Sequence, residues 1–333
     1  MALKRGTSGL SLVVPVNKPS GLTSHDVVNH CRRIFEERRV GHTGTLDPLA
    51  TGVLPICVGP ATRLDRFLTS HEKRYRVTIG FGFETETDDI EGEPTISGSV
   101  GGDLLDGVFA EAYIAGLVGK HMQVPPRYSA IKKDGKKAYE LARAGIDVEL
   151  EPRPIEVFES VLVSRFEEDG KLCWVVDFSV SKGTYIRSLV RDLGRELGSR
   201  AHVVALERRQ SGLLSLDDCV SLESLEALGT EAAIDPVRLL GFRVLFAEDC
   251  EKSVCNGGKL SATRSVLFEP DACTSRDGHC ACTNSLTEST RSLEDGEHVS
   301  IVLANLLKAI YRFDAESGAL KPDCLFSIGV SRG

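Results

Sequence analysis

The sequence lacks any apolar run close to the roughly 20 residues that a membrane-spanning helix needs. Its first 16 residues carry a small positive cluster, but Pro15 interrupts their apolar part and no convincing cleavage site follows. The composition, 41% hydrophobic and 26% charged, is ordinary for a soluble globular protein. We therefore expect a cytoplasmic protein without a membrane partner, and 333 residues favour two domains.

Repeated Cys-x-x-Cys pairs are also missing, although the chain has ten cysteines. Most of the cysteines are therefore predicted to be buried thiols in a reducing compartment. One cluster comprises Cys273, His279, Cys280 and Cys282, but its spacing fits no established zinc pattern. A surface loop rich in Ser, Thr and Cys is the favoured interpretation, so we expect no metal.

A basic overall charge, which would favour a nucleic-acid partner, is absent as well, because the net charge is −8. The distribution of charge points the other way. Residues 1–76 hold 12 Lys/Arg against 6 Asp/Glu, residues 120–145 hold 7 against 2, and residues 182–209 hold 7 against 3. Each segment alone could be a solvated face, but together they could form the footprint of a polyanion.

The hydrophobic pattern predicts an α+β protein. Residues 11–16 and 172–180 read as strands, and residues 74–83 alternate with Tyr75 on the apolar face. One helix is predicted to begin with Thr23 or Ser24 as its N-cap, and another with Thr184 as its N-cap. The acidic stretch 84–107 is predicted to be a loop. Short strand-like pieces follow residue 240. We therefore predict domains 1–240 and 241–333, the second of them small and mostly β.

One loop carries a carboxylate without a second one beside it. In VGHTGTLDPLATGVLP, residues 40–55, Asp47 is the sole charged side chain. Pro48 favours an extended conformation at Asp47, and the glycines allow tight backbone turns. A glycosidase would use two carboxylates, which this loop does not offer. Arg187 is a candidate partner for Asp47, although spacing alone leaves a plain surface arginine equally open.

These residues are recognisable as a set. Gly41–Arg63 closely resembles the catalytic signature of the TruB family of tRNA pseudouridine synthases, with Asp47 at the position of the essential aspartate. Further segments resemble that family in the same order over roughly the first 215 residues: Val16–Val28, Lys73–Gly82, Pro125–Ile146, Ser181–Gly194 and Ala201–Gly212.

The resemblance implies the fold. It is an α+β catalytic domain with a mixed, mainly antiparallel central sheet flanked by helices and an RNA-gripping insertion at about residues 121–147. A small carboxy-terminal β-rich domain of the RNA-binding PUA type follows. Here the resemblance is divergent, because residues 210–333 hold 11 Lys/Arg against 19 Asp/Glu.

The resemblance also implies the reaction. A uridine in the tRNA T-loop is flipped out of the stack, its glycosidic bond is broken, and the base is rejoined to the ribose through C5. No cofactor or metal is required. Asp47 would act on the ribose, either as a nucleophile or by removing a ribose proton, and the sequence leaves both routes open. The expected partner is the tRNA T stem-loop, and the expected oligomeric state is a monomer.

Individual roles follow from the matched positions. Asp47, Tyr75 and Arg187 would be catalytic, His42 would fill the space left by the flipped base, and Leu206 would form an apolar wall for the uracil. His42 could instead be structural, and Tyr75 could be a core residue. Other residues would bind substrate, namely Lys18, Gly44, Thr45 and Tyr185. A third group would contact the RNA backbone, namely Arg32, Arg33, Arg38, Arg39, Arg127, Lys132, Lys133, Lys136 and Lys137.

Two alternatives share these motifs. A guide-RNA-dependent pseudouridine synthase has the same catalytic signature, but residues 125–146 resemble the stand-alone bacterial form, and long basic tails are missing. A non-catalytic RNA-folding chaperone could use the same surface. The complete set of Asp47, Tyr75 and Arg187 favours catalysis over that second alternative.

Overall fold

The structure, a computed structural model, describes residues 8–69, 71–133, 135–146, 149–168, 170–262, 266–270 and 286–333. The cluster of Cys273, His279, Cys280 and Cys282 lies outside these residues. No helix among the described residues is both long and apolar enough to cross a membrane.

The described strands are the following: β1 Leu12–Lys18, β2 Val40–His42, β3 Thr51–Val58, β4 Lys73–Phe81, β5 Phe83–Thr85, β6 Pro94–Ser97, β7 Gly119–Gln123, β8 Lys132–Lys133, β9 Lys136–Lys137, β10 Arg153–Glu168, β11 Lys171–Val180, β12 Ala201–Ser211, β13 Leu214–Ser215, β14 Arg243–Phe246, β15 Leu260–Ser261, β16 Phe268–Pro270, β17 Leu286–Glu288, β18 His298–Leu303, β19 Leu306–Asp314 and β20 Ala319–Ser331.

The described α-helices are the following: α1 Ser24–Ile34, α2 Asp65–Leu68, α3 Gly102–Leu105, α4 Gly107–Ala115, α5 Ala138–Arg143, α6 Ile186–Glu196, α7 Leu222–Leu228, α8 Pro236–Leu240 and α9 Glu251–Cys255. Short 3₁₀ segments are Gly59–Leu64, Leu216–Asp218, Gly229–Ala232 and Glu248–Cys250.

The chain forms two compact units that do not follow one cut along the sequence. The first unit comprises residues 1–48, 52–70 and 210–333, and the second comprises residues 49–51 and 71–209. The division into a catalytic domain of residues 1–240 and a β domain of residues 241–333 stays a prediction.

In the first unit, β1 and β2 both pair antiparallel with β3. Helix α1 begins where predicted. The Thr23 side chain accepts a hydrogen bond from the Asp26 backbone, and the Asp26 carboxylate accepts one from the Thr23 backbone, so the two form a capping box. Val27, Val28 and Cys31 are buried, as the helical periodicity predicts.

The carboxy-terminal part of the first unit is strand-rich, as expected. Its sheet runs in the order β15-β20-β19-β18-β14-β16-β17, and it is mixed because β14 pairs parallel with β18. This sheet shares an apolar core with the segment that follows the Asp47 loop. Val53, Leu64 and Phe67 belong to the same buried cluster as Ile310 and Val330.

In the second unit, a sheet runs in the order β12-β4-β11-β10-β7. Strand β4 alternates as predicted, with Tyr75, Val77 and Ile79 buried, and it pairs antiparallel with β11. The acidic stretch 84–107 is not the plain loop that the sequence suggested. It contains the two-stranded sheet of β5 and β6, followed by α3.

The prediction for the fold concerns Arg243, whose guanidinium is buried in the carboxy-terminal sheet. Its Nε and Nη2 each donate to the Glu297 carboxylate at 2.8 Å, and its Nη1 donates to the Arg291 carbonyl at 2.6 Å. Arg243→Met leaves these acceptors buried, so it should lower the free energy of unfolding by about 3–5 kcal/mol. Urea unfolding measures this change.

Arg291→Met is the matched control, because the Arg291 Nη2 also reaches Glu297 at 3.0 Å but the side chain is half exposed. An exposed pair contributes about 0–1 kcal/mol, so this variant should change little. Equal losses for both variants would contradict the account of the sheet.

Candidate active site

The Asp47 loop joins β2 to β3 and is closed by backbone bonds at its base. His42 pairs with Ile56, and the Thr43 amide donates to the Pro55 carbonyl at 3.0 Å. Gly44 has φ 96° and Gly52 has φ 102°, a conformation that side chains rarely adopt. His42 and Asp47 are half-buried, and Thr45 is exposed. The turn chemistry therefore requires glycine at two points and leaves the carboxylate accessible.

Lys18 fixes the carboxyl side of Asp47. Its side chain is fully buried (0% exposed), and its ammonium donates to the carbonyls of Pro19 at 2.8 Å, Leu22 at 2.6 Å and Pro48 at 3.2 Å. The Pro48 carbonyl also accepts from the Gly21 amide at 2.9 Å. A buried ammonium is tolerated only when such acceptors replace water. Lys18 therefore holds the loop, and its contact with substrate stays a prediction.

Ser24 fixes the other side of Asp47. The buried Ser24 hydroxyl accepts from the Leu46 amide at 2.8 Å and donates to the Leu46 carbonyl at 2.9 Å. Both neighbours of Asp47 in the chain are thus anchored. The sequence indicated Ser24 only as a possible N-cap of α1. Its bonds to Leu46 were missed, because a Thr-Ser pair before a helix does not show which hydroxyl caps the helix.

Tyr75 and Leu206 lie on neighbouring strands of the second unit, β4 and β12. Both side chains are nearly buried, Tyr75 at 8% and Leu206 at 6% exposed. A tyrosine ring beside a leucine is a wall on which an aromatic base could lie.

Lys73 precedes Tyr75 on the same face. Burial, together with the positive charges of Arg208 and Lys182, lowers the pKa of Lys73 to about 8. Its ammonium donates to the His71 carbonyl at 2.7 Å. The wall formed by Tyr75 and Leu206 is therefore bordered by positive charge.

Arg187 lies on the buried side of α6 and is 4% exposed. Its Nη1 donates to the Thr87 carbonyl at 2.7 Å and lies 3.6 Å from the Asp89 carboxylate, and its Nη2 donates to the Tyr128 carbonyl at 3.1 Å. Thr184 is not the N-cap that the sequence predicted. The N-cap is Tyr185, whose side chain makes no capping bond, and its amide donates to Gln123 Oε1 at 2.9 Å.

Two further arginines follow Arg187 at one-turn intervals along α6 and meet the acidic segment. Arg191 Nη1 donates to Asp88 Oδ2 at 3.0 Å, and Arg195 binds both carboxylate oxygens of Glu84 at 2.8 and 2.7 Å. Burial raises the pKa of Asp88 to about 6, while the Arg195 hydrogen bonds hold the pKa of Glu84 below its usual value. Sequence reasoning missed these acids because it placed them in a loop.

The basic residues proposed for RNA divide by exposure. Arg33, Arg38, Arg127, Lys133 and Lys136 are exposed, the two lysines on the hairpin of β8 and β9. Arg32 and Arg39 are half-buried and hydrogen-bonded, to Asn29 Oδ1 and Thr62 Oγ1 respectively. Lys132 and Lys137 lie in the same two strands. Contact of these residues with RNA stays a prediction.

The predicted site residues fall in both units. Lys18, His42, Gly44, Thr45 and Asp47 belong to the first, and Tyr75, Tyr185, Arg187 and Leu206 to the second. The pairing of Asp47 with Arg187 joins the two units and stays a prediction. Among the described residues, no group of three or more His, Cys, Asp or Glu is placed to hold a metal ion.

Comparison with known proteins matches two adjoining sequence families. Residues 32–186 match the amino-terminal domain of the TruB family pseudouridylate synthases, and residues 187–239 match the carboxy-terminal domain of tRNA pseudouridylate synthase B. The first match includes Asp47 and Tyr75, and the second begins at Arg187.

Curated relatives agree with these matches. The chain is 41% identical over 267 residues to a tRNA pseudouridine synthase B of Oceanobacillus iheyensis, covering 78% of this chain and 87% of the relative. It is 49% identical over 216 residues to a protein of the same name from Mycobacteroides abscessus, covering 64% and 71%. Among solved structures, a Cbf5-Nop10-Gar1 complex matches with a TM-score of 0.65 at 21% identity, covering 98% of this chain and 86% of that chain, which supports the fold.

The prediction for the site concerns the anchor at Lys18. Lys18→Met keeps the length of the side chain but removes the buried ammonium that ties the Pro19 and Leu22 carbonyls to the Pro48 carbonyl. Hydrogen bonds to a charged group contribute about 1.5–3 kcal/mol, so the free energy of unfolding should fall by about that amount. Lys308→Met, a substitution on the half-buried face of β19, is the control and should leave stability nearly unchanged. Calorimetry compares the two, and an unchanged melting temperature for Lys18→Met would show that the ammonium is not the anchor.

Proposed function

Because this chain belongs to the TruB family of pseudouridine synthases, we propose that it converts the T-loop uridine of tRNA to pseudouridine, with Asp47 acting on the ribose. The observation that carries the proposal is the arrangement around Asp47. One carboxylate stands on a loop held by Lys18 on one side and by Ser24 on the other. Catalysis by a carboxylate depends on such fixed placement relative to the reacting atoms.

The reaction needs little more than one placed carboxylate. Isomerisation breaks the bond from N1 of the base to C1′ of the ribose and forms one from C5 to C1′; C5 loses a proton and N1 gains one, so the product is an isomer of the starting nucleotide. In one route the Asp47 carboxylate attacks the sugar as the N1 bond breaks, and the resulting ester bond breaks when C5 bonds to the sugar. In the other route the carboxylate removes a ribose proton before the base departs and returns it after the base is rejoined. The exposed turn at Thr45 leaves room for a sugar in either route.

The base must leave its stack before the bond can be broken, which costs a few kcal/mol. The wall of Tyr75 and Leu206 offers an apolar surface for the extruded uracil, and the tyrosine hydroxyl would lie near C5. His42, on the same loop as Asp47, would enter the space vacated in the RNA. Opening of the RNA and attack on the sugar would then be coupled through one rigid loop.

Arg187 would hold the Asp47 carboxylate ionised and oriented. Its Nη1 already donates to the Thr87 carbonyl and its Nη2 to the Tyr128 carbonyl. A guanidinium fixed in this way presents its charge in one direction. Tyr185 lies just before α6, and its backbone is held by Gln123, so substrate contacts at this helix start would also have fixed positions.

The identity of the RNA is inferred from the relatives. The proteins at 41% and 49% identity are both named for action on tRNA, whereas the Cbf5 complex, at 21%, supports the fold alone. We therefore favour a stand-alone tRNA enzyme over a guide-RNA-dependent one. Activity of the purified chain on a T stem-loop transcript without any guide RNA separates these two.

The central variant is Asp47→Asn, which retains shape but cannot attack or accept a proton. We expect no pseudouridine in an unmodified T stem-loop transcript, scored by chemical mapping, while the affinity for that transcript remains close to that of the wild-type protein. Asp65→Asn, on the short helix α2, is the control and should leave product formation unchanged. Pseudouridine formation by Asp47→Asn would show that Asp47 is not essential to the reaction and would contradict the proposal.

A second prediction concerns the basic hairpin. Lys133 and Lys136 are exposed on β8 and β9 and would contact phosphates without reading the sequence. Each lost contact should reduce the slope of log affinity against log salt by roughly 0.7–0.9. Lys136→Ala should therefore flatten the salt dependence of RNA binding, and Lys321→Ala, on β20, should not. Equal slopes for Lys136→Ala and wild type would exclude this contact.

A further inference from the structure

The insertion begins where β7 ends, and its first residues are bonded to the start of α6. Gln123, the last residue of β7, is 3% exposed. Its Nε2 donates to the Tyr185 carbonyl at 3.1 Å, and its Oε1 accepts from the Tyr185 amide at 2.9 Å. A paired amide contact of this kind is strong in a dry environment. It also satisfies the Tyr185 amide, one of the amides at the start of α6 that lack a partner within the helix.

Arg187 and Arg191 continue this attachment along α6. Arg191 donates through Nη2 to the Val124 carbonyl at 3.0 Å and through Nη1 to Asp88 at 3.0 Å. Arg187 in the same way spans the Tyr128 carbonyl and the Thr87 carbonyl. Each guanidinium thus bridges the first residues of the insertion and the acidic segment, which a planar fork with separate donors can do.

The acidic segment is itself fixed to the sheet. The Asp88 carbonyl accepts from the Val203 amide of β12 at 3.0 Å, and the Ile90 amide donates to the Val203 carbonyl at 2.8 Å. The Arg191 fork therefore joins α6, β12 and the start of the insertion in one connected set of bonds. A lysine at this position has one ammonium, which could not reach Asp88 and Val124 from opposite sides.

We infer that Gln123 and Arg191 are positioning residues, which lock the start of the RNA-gripping insertion to the helix that carries Arg187. RNA gripped by the insertion would then be presented to Arg187 in one fixed geometry. The inference rests on the proposed function. It assigns to these two residues an effect on the rate of the chemical step that stability alone does not explain, since misplacement of reacting groups by about 1 Å can cost about 100-fold in rate.

Arg195 provides a matched control on the same helix. It forms a two-point ion pair with Glu84 in β5 and makes no contact with the start of the insertion among its described bonds. Arg195→Met should lower stability less than Arg191→Met, because the Arg195 side chain is half exposed and that of Arg191 is buried. It should leave the geometry between the insertion and Arg187 intact.

The experiment measures single-turnover pseudouridine formation with the protein in saturating excess over T stem-loop RNA, together with the Kd for that RNA and the melting temperature of each variant. We expect Gln123→Leu and Arg191→Met to reduce the single-turnover rate by about 10- to 100-fold. Arg195→Met should stay within about twofold of the wild-type rate. Arg191→Lys, which retains the charge beside Asp88, should be slow as well, and it serves where a larger change prevents folding.

The outcomes separate the two proposals. Rates for Gln123→Leu and Arg191→Lys that match the rate of Arg195→Met, with an active wild-type protein, would overturn the positioning role alone. Variants that are slow at low protein concentration but reach the wild-type rate at saturating protein would also overturn it, because they would show a binding role instead. A wild-type protein that forms no pseudouridine would overturn the proposed function and this inference with it.

Discussion

The buried ammonium of Lys18 is the contact on which the Asp47 loop depends. A charged group without water must find polar partners, and here the Pro19, Leu22 and Pro48 carbonyls supply them. Those carbonyls belong to two segments that are distant in sequence, so the ammonium defines how they meet. The Ser24 hydroxyl completes the arrangement at Leu46. A carboxylate between two anchored residues has little freedom left, which is what a single-carboxylate reaction requires.

In the second unit, buried guanidinium groups hold α6 to the acidic segment, as the Lys18 ammonium holds the Asp47 loop in the first. Arg187, Arg191 and Arg195 lie one turn apart on α6, and each meets an acid or a carbonyl of the segment 84–89. The lowest exposure belongs to Arg187, at 4%, and Arg195 lies towards solvent. The arginine contacts are therefore most shielded from water at the amino-terminal end of α6, where Arg187 lies. Arg187 and Arg191 also hold the start of the insertion, so the proposed RNA contact and the proposed catalytic arginine would share one support.

Local patterns predicted much of this architecture. The alternation of β4 placed Tyr75 on the buried face, the capping residues located the start of α1, and the composition of residues 40–55 singled out Asp47. The partners of α6 could not be predicted, because Glu84 and Asp88 are about a hundred positions away and their stretch reads as a solvated loop. Thr184 as an N-cap was wrong for a related reason. The N-cap lies one residue later, at Tyr185, whose backbone is held by Gln123, a partner that local spacing cannot reveal.

The proposed reaction requires Asp47, Tyr75 and Arg187 to meet around one extruded uridine. A crystal structure of the Asp47→Asn protein with an unmodified T stem-loop RNA tests this most directly. We expect the target uridine outside the RNA stack, its ring against Tyr75 and Leu206, His42 in the vacated space, and its ribose beside residue 47. A target uridine that remains stacked in the T-loop, or a ribose distant from residue 47, would contradict the account.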